Sequence, residues 1–397
     1  MTNESTKPPL KGLRVLDLSR VLAGPFCSMT LSDMGAEIIK VEMPGRGDDT
    51  REFPPFIKGE SSYFMSLNRG KKSITLNLKE AQAREVFYKI AEKSDIILEN
   101  FRPGVTERLG VDYETIKKIN PKIIYCSISS FGQTGPYNQW PGYDLIIQGM
   151  GGLMGLTGEP NGPPVRVGVA VTDLCAGMYA TIGILGALRA REEGGGGQYI
   201  DVGMLDGSVS WMTYAAGNYF ATGTNPPRMG SAHPSIAPYQ SFKARDGNYV
   251  LVACGNDRLW AMLTQAMDLT DLKDDPRFTT NELRVKHLSE LVPLLEDRFS
   301  EKSRDEWLEI LRGIGFPCGP VYLMNEIFSD PQVLSRGMLA EVEHPKAGEV
   351  YQIGTVIKYD ETPCEIQSPP PVLGQHTQDI LESLVGYDKE KIEELRG

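Results

Sequence analysis

Through its first 200 residues the chain alternates short apolar runs with stretches of helical periodicity. GLRVLDLS (12–19) predicts a buried strand, and AGPFCSMTLSDMG (23–35) predicts a helix closed by Gly35. AEIIKVE (36–42), KKSITLNL (71–78), DIILEN (95–100) and KIIYCSIS (122–129) predict further strands. Between them KEAQAREVFYKIAEKS (79–94) and YETIKKIN (113–120) carry helical periodicity. Strands that alternate with helices build parallel βαβ units, and the ligand crevice of such a sheet lies beyond the carboxyl ends of its strands. The loops that follow each strand are therefore where chemistry is sought.

A long helix is predicted from about 174 to 193. Ala176, Gly177, Ala180, Gly183, Gly186 and Ala187 recur near helical spacing and would let another backbone approach closely, which places this helix deep in the fold. EEGGGGQ (192–198) ends it and leads into the strand YIDVGM. The glycine run follows a helix instead of joining a strand to one, so it does not read as a phosphate loop. From about 225 the texture changes. TNPPRMGSAHPSIAPYQSF (224–242) is rich in Pro, Gly and Ser, SFKARDGNYVLVACGN predicts a hairpin turned at Asp246-Gly247, and amphipathic helices follow at 257–268 and 302–313. These shifts divide the chain into a large domain (1–224), a small domain (225–330) and a C-terminal return to the large domain (331–397). In that return GEVYQIGTVIKYD predicts strands and HTQDILESL a helix.

Composition narrows the function classes. With 397 residues the chain can bury a large core without disulfides or metals. The net charge of -11, with no segment dominated by Lys and Arg, argues against a nucleic-acid partner. Six cysteines are scattered without a CxxC pair or Cys/His cluster, which fits a reducing compartment and argues against a zinc site. MTNESTKPPLKG is polar and lacks the layout of a signal peptide, and no uninterrupted apolar run reaches membrane length. The expectation is a cytoplasmic protein with no membrane partner and no metal.

Asp173 stands at the mouth of the long helix, and two readings are open. Asp is a favoured helix N-cap, its oxygen accepting from the first free N–H groups. A carboxylate kept ionised at a helix N-terminus beside apolar GVAV is also a desolvated anion able to attack an acyl carbon. Cys175 reads as a small buried thiol, and His233 as a loop residue in a plausible site segment. No GxSxG, GxxxxGK[ST] or strand–GxGxxG–helix pattern is present. Arg20, Arg69, Lys71, Lys72, Arg102 and Arg108 lie near strand ends or starts; each reads singly as a surface charge, and together they would hold a polyanion.

Taken in order, LKGLRVLDLSRVLAGPFCSMTLSDMGAEIIKVE, GRGDDTR, SLNRGKKSITLNLK, DIILENFRPGVTERLG, YCSISSFGQTGP, GYDLIIQGMGGLMGLTG, TDLCAGMYATIGILGALRAR, GFPCGPV and PPPVLGQHT resemble the class III coenzyme A transferases. That group contains formyl-CoA transferase, carnitine CoA-transferase and the α-methylacyl-CoA racemases. The resemblance covers nearly the whole chain. It implies an α/β fold with a Rossmann-like large domain and a smaller α+β domain, assembled as an interlinked, ring-shaped homodimer. It also implies CoA transfer from an acyl-CoA thioester to a free carboxylic acid, with Asp173 as nucleophile, aspartyl anhydride and aspartyl-CoA intermediates, and no cofactor, coenzyme A being a substrate.

Position by position, the resemblance assigns CoA contacts to Arg20, Val21, Leu22, Ala23, Leu76, Asn100, Phe101, Arg108 and Tyr143. Leu22 replaces the glutamine of formyl-CoA transferase, and RMGSAHPSIAP stands where that enzyme has a mobile glycine-run loop, so formyl or oxalyl specificity is not implied. Arg228 and His233 in that segment are candidates to hold a second carboxylate, which makes a dicarboxylate such as succinate a hypothesis. The alternatives are an α-methylacyl-CoA racemase and a non-catalytic acyl-CoA binder. The racemases use a histidine directly before an aspartate in this segment; here Tyr143 precedes Asp144, so one of the two bases is missing.

Overall fold

A computed structural model describes residues 7–396; residues 1–6 of the polar N-terminal stretch, and Gly397, lie outside the described residues. The chain divides into two compact units. One comprises the residues up to Leu153, Arg166–Ala216 and the chain from Pro331 onward; the other comprises Met154–Val165 and Gly217–Asp330.

The first unit is built on six strands: β1 (Arg14–Asp17), β2 (Glu37–Glu42), β3 (Lys71–Thr75), β4 (Ile96–Glu99), β5 (Ile124–Ser129) and β6 (Gln198–Gly203). All neighbouring pairs are parallel, in the order β3-β2-β1-β4-β5-β6. This is the order of doubly wound nucleotide-binding sheets, whose direction of growth reverses between the first and fourth strands. The core strands read as continuous Ile, Val and Leu because both faces are covered, and Val15, Leu16, Ile97 and Ile124 are wholly buried. The edge strand β3 is covered by the C-terminal segment. His376 Nδ1 accepts from Ser73 N at 3.1 Å, and Thr377 Oγ1 accepts from Thr75 N at 3.2 Å. The GQHT motif is thus an edge cover for the sheet.

Helix α1 (Ala23–Asp33) follows β1, and α2 (Ala81–Glu92) and α3 (Tyr113–Ile119) fall near the predicted segments. After α4 (Asp144–Met150) comes α5 (Val171–Glu192), which starts a turn earlier than the pattern predicts. Its small residues matter at one place above all. A Cβ on Gly177 would stand 2.6 Å from the Ala23 carbonyl, so glycine is what lets α5 lie against the first turn of α1. By length and composition α5 is apolar enough to cross a membrane, although no uninterrupted run suggested it. Half of its apolar window is buried, and it packs on α1, β5 and β6.

The second unit holds a three-stranded antiparallel sheet of β7 (Tyr239–Lys243), β8 (Tyr249–Ala253) and β9 (Cys318–Pro320), in the order β9-β8-β7. Its hairpin turns at Gly247, in the left-handed region at φ 84°. Helices Asp257–Ala266, Leu288–Phe299 and Arg304–Gly313 cover it, with Trp260, Phe299 and Trp307 in one core with the strand residue Phe242. Back in the first unit, Leu339–His344 and Gly348–Ile353 form a hairpin; of the strands predicted over 348–360, the part beyond Ile353 is not strand.

Candidate active site

The reversal between β1 and β4 brings two loops together: Ser19–Leu22 after β1 and Asn100–Phe101 after β4. Asn100 joins them. Its Oδ1 accepts from Arg20 N at 2.8 Å, and its Nδ2 donates to the Arg20 carbonyl at 2.7 Å. The Arg20 guanidinium lies over the Phe101 ring, 5.1 Å from its centre. Two hollows open around this junction and share Arg20, Phe101 and Val105. One, of about 500 Å³, is lined by Leu76, Leu78, Lys79 and Arg108. The other, of about 380 Å³, is lined by Val21, Ala23, Asn100, Arg102, Tyr143 and Asp173. Of the assigned positions, Leu22 lines neither hollow; it precedes the first residue of α1.

Asp173 does not cap its helix. Ala170 is the N-cap residue, and Asp173 sits three positions further in. The cap is supplied from α4. Asp144 Oδ1 accepts from Thr172 N at 3.0 Å and from Thr172 Oγ1 at 2.8 Å, while its Oδ2 accepts from Gln148 Nε2 at 2.7 Å. Gln148 Oε1 in turn accepts from Val167 N at 2.8 Å, which fixes the approach to α5. With the orphan N–H of Thr172 satisfied by Asp144, the Asp173 carboxylate is left to the hollow.

Its ionisation also differs from the expectation of a firmly charged anion at a helix N-terminus. Burial, and secondly the Asp144 charge, push Asp173 up to about 7, and among the described residues no hydrogen-bond donor offsets them. A desolvated carboxylate that titrates near neutrality inside a hollow has the signature of a reactive group rather than a structural one.

The bases near the strand ends do not all converge. Arg69 is buried against Asp33 at 2.7 Å, Lys71 against Asp17 at 3.3 Å, and Lys72 pairs with Glu37 at 2.8 Å. These three are spent on internal pairs, and Arg20, Arg102 and Arg108 are the members of the group that line the hollows. Arg228 and His233 belong to the second unit. Arg228 Nη2 donates to the Gly162 carbonyl at 2.5 Å, and His233 Nδ1 accepts from Ser235 N at 3.1 Å with its ring against Tyr239.

Sequence reading missed Lys40 and Asp48. Lys40 sits inside the apolar run of β2, wholly buried, with its ammonium 2.9 Å from Asp48 and 2.7 Å from the Ser19 carbonyl. The signal was present in AEIIKVE, where a lysine interrupts a buried strand, and in the acidic pair of GRGDDTR, which follows that strand.

Comparison with known proteins identifies the family. Residues 10–377 match the family model of CoA-transferase family III. The chain is 44% identical to human succinyl-CoA:glutarate CoA-transferase over 98% of its length and 88% of that protein's. It is 43% identical to acetyl-CoA:oxalate CoA-transferase of Acetobacter aceti, over 91% of this chain and 92% of the relative. A CAIB/BAIF family protein from Brucella suis has a crystal structure that superposes with a TM-score of 0.87 at 42% identity, covering 95% of this chain and all of that one. The chain belongs to CoA-transferase family III.

Proposed function

We propose that the protein moves CoA from an acyl-CoA thioester to a free dicarboxylic acid, with Asp173 as the covalent carrier. CoA transfer between thioesters and carboxylic acids is what its family relatives perform. The observation that carries the finer reading is the carboxylate itself: uncapped, desolvated, and sharing a hollow with Arg20, Asn100, Phe101 and Tyr143.

Ionised Asp173 attacks the thioester carbonyl. The C–S bond breaks, leaving an aspartyl–acyl anhydride and CoA thiolate. The thiolate attacks the aspartyl carbonyl, releasing the donor acid as its carboxylate and leaving an aspartyl-CoA thioester. The acceptor carboxylate attacks that thioester, giving a second anhydride and thiolate. Attack of this thiolate on the acceptor's acyl carbon yields the new acyl-CoA and frees Asp173. Each step exchanges one carboxylate or thiolate for another, so no proton has to be moved.

The two hollows meet at Arg20 and Phe101, which suits an extended ligand whose nucleotide lies by Leu76 and Arg108 and whose thiol lies by Asp173. Dicarboxylic acids are proposed because glutarate and oxalate are named as substrates of the two relatives. We also propose self-association, supported by the exposure of Met178 and Ile182 on α5 and of Tyr351 and Ile353 on the hairpin. A folded monomer in native mass spectrometry would contradict it.

The decisive experiment is intact-protein mass spectrometry after mixing with succinyl-CoA and quenching with hydroxylamine or borohydride. An adduct mapping to Asp173, absent from Asp173→Ala, is the expected result. Transfer activity retained by Asp173→Ala would end the proposal.

A further inference from the structure

The turn between β1 and α1 is held at successive backbone groups. Asp17 Oδ1 accepts from Ser19 N at 2.8 Å, Lys40 donates to the Ser19 carbonyl at 2.7 Å, and Asn100 brackets Arg20. Asp48 Oδ1 accepts from Val21 N at 3.2 Å, and also from Thr50 N and Oγ1 at 3.0 and 2.8 Å. Val21 has a φ of 67°. A β-branched residue rarely enters this left-handed region, and the conformation is disfavoured by roughly an order of magnitude in population. Such strain persists only where its surroundings impose it. Val21 and its neighbours Arg20 and Ala23 line the hollow that contains Asp173.

We propose that the buried Asp48–Lys40 pair is a positioning device for this site. It holds Val21 left-handed, and so sets Arg20, Val21 and Ala23 where the thioester end of the substrate must fit. The inference rests on the reading of the Asp173 hollow as the acyl-CoA site. Both carboxylate oxygens of Asp48 are needed, one toward Lys40 and one toward Val21 and Thr50. An asparagine can serve only one side as an acceptor, since its amide would face a donor on the other.

Asp48→Asn is therefore expected to lower kcat/KM for succinyl-CoA with glutarate by roughly 10- to 100-fold, mainly through KM. The pH midpoint set by Asp173 stays where it is. Glycine tolerates the left-handed region at no steric cost. In a Val21→Gly background the Asp48→Asn penalty should accordingly shrink by about tenfold, a coupling that a merely stabilising ion pair would not produce. An equal penalty in both backgrounds overturns the proposal.

A second pair of variants reads the strain without touching Asp48. Val21→Gly and Val21→Ala both remove the isopropyl group, but only glycine relieves the backbone, so Val21→Gly should have the higher Tm; the reverse order overturns the proposal. Failure of the underlying reading looks different. Loss of Asp173 dependence in the wild-type background sinks both ideas, whereas an active, Asp173-dependent enzyme with uncoupled Asp48 and Val21 sinks this one alone.

Discussion

Asp48 and Asp173 are two carboxylates taken out of water in the same unit, and their surroundings drive them in opposite directions. Burial would raise both. At Asp48 the Lys40 ammonium and the Thr50 N–H and hydroxyl outweigh it, and the carboxyl is held far below its usual range. Burial pulls the Lys40 ammonium down in turn, but Asp48, Asp17 and Glu42 restore it above its ordinary value. At Asp173 nothing compensates: burial is joined by a second negative charge, Asp144, and the carboxyl rises to about 7. The paired group is tied to its place by Lys40, Val21 and Thr50. The unpaired group is costly to keep ionised, which suits the nucleophilic role proposed for it. Burial alone does not distinguish a structural from a reactive carboxylate; the partners do.

Neutralising Asp173 is the sharpest way to break this contrast. Asp173→Asn should lower CoA transfer by at least about a thousandfold, the scale for removing a covalent nucleophile. The same substitution should stabilise the fold. Because the folded-state pKa lies above the unfolded value near 3.8, the folded protein holds the extra proton between about pH 4 and 7 and loses that advantage as pH rises. At pH 8 the neutral variant is then more stable by roughly 2–4 kcal/mol, since each pH unit between the folded and unfolded titrations is worth about 1.4 kcal/mol. At pH 4 the two should melt together. Asp48→Asn should move Tm the opposite way: its lowered pKa contributes stability above the unfolded value, lost only as pH falls. Melting curves at both pH values check this, and a wild type more stable than Asp173→Asn at pH 8 would break the comparison.

How much of this was readable beforehand follows the same division. The strands and their loops were legible because a parallel sheet buried on both faces writes itself as continuous apolar runs, as in RVLD and IYCSIS. Asp173 was legible as a lone charge at the mouth of a small-residue helix. Its freedom from capping was not, since the cap comes from Asp144, 28 residues away from the Thr172 N–H it accepts. Distance in sequence also hid the roles of Lys40 and Asp48, which read locally as a strand residue and a loop charge but reach Ser19 and Val21, 21 and 27 residues earlier. Arg69 and Lys71 were misleading for the converse reason: their partners Asp33 and Asp17 lie 36 and 54 residues earlier. Periodicity reports which face of an element is buried; it carries no information about which charge meets which across the sheet.

The finest cut through the comparison is Asp144, which does two things to Asp173. It caps α5 through Thr172, and it adds the second, smaller push on the Asp173 carboxyl. Attack requires the ionised form, so kcat/KM in the wild type should rise with pH, tenfold per unit below a midpoint near 7, and level off above it. Asp144→Asn keeps an acceptor for Thr172 N but removes the charge, so Asp173 becomes easier to ionise and the midpoint moves down. Burial, the larger cause, is untouched, and the midpoint should move by less than about one pH unit. Relative to pH 8, activity at pH 6 then rises about two- to fivefold, while Asp144→Ala, which loses the cap as well, gives up about 1 kcal/mol of stability. A midpoint that stays at its wild-type position in Asp144→Asn would mean that Asp144 acts on α5 by its hydrogen bonds alone, and that desolvation by itself makes Asp173 what Asp48 is not.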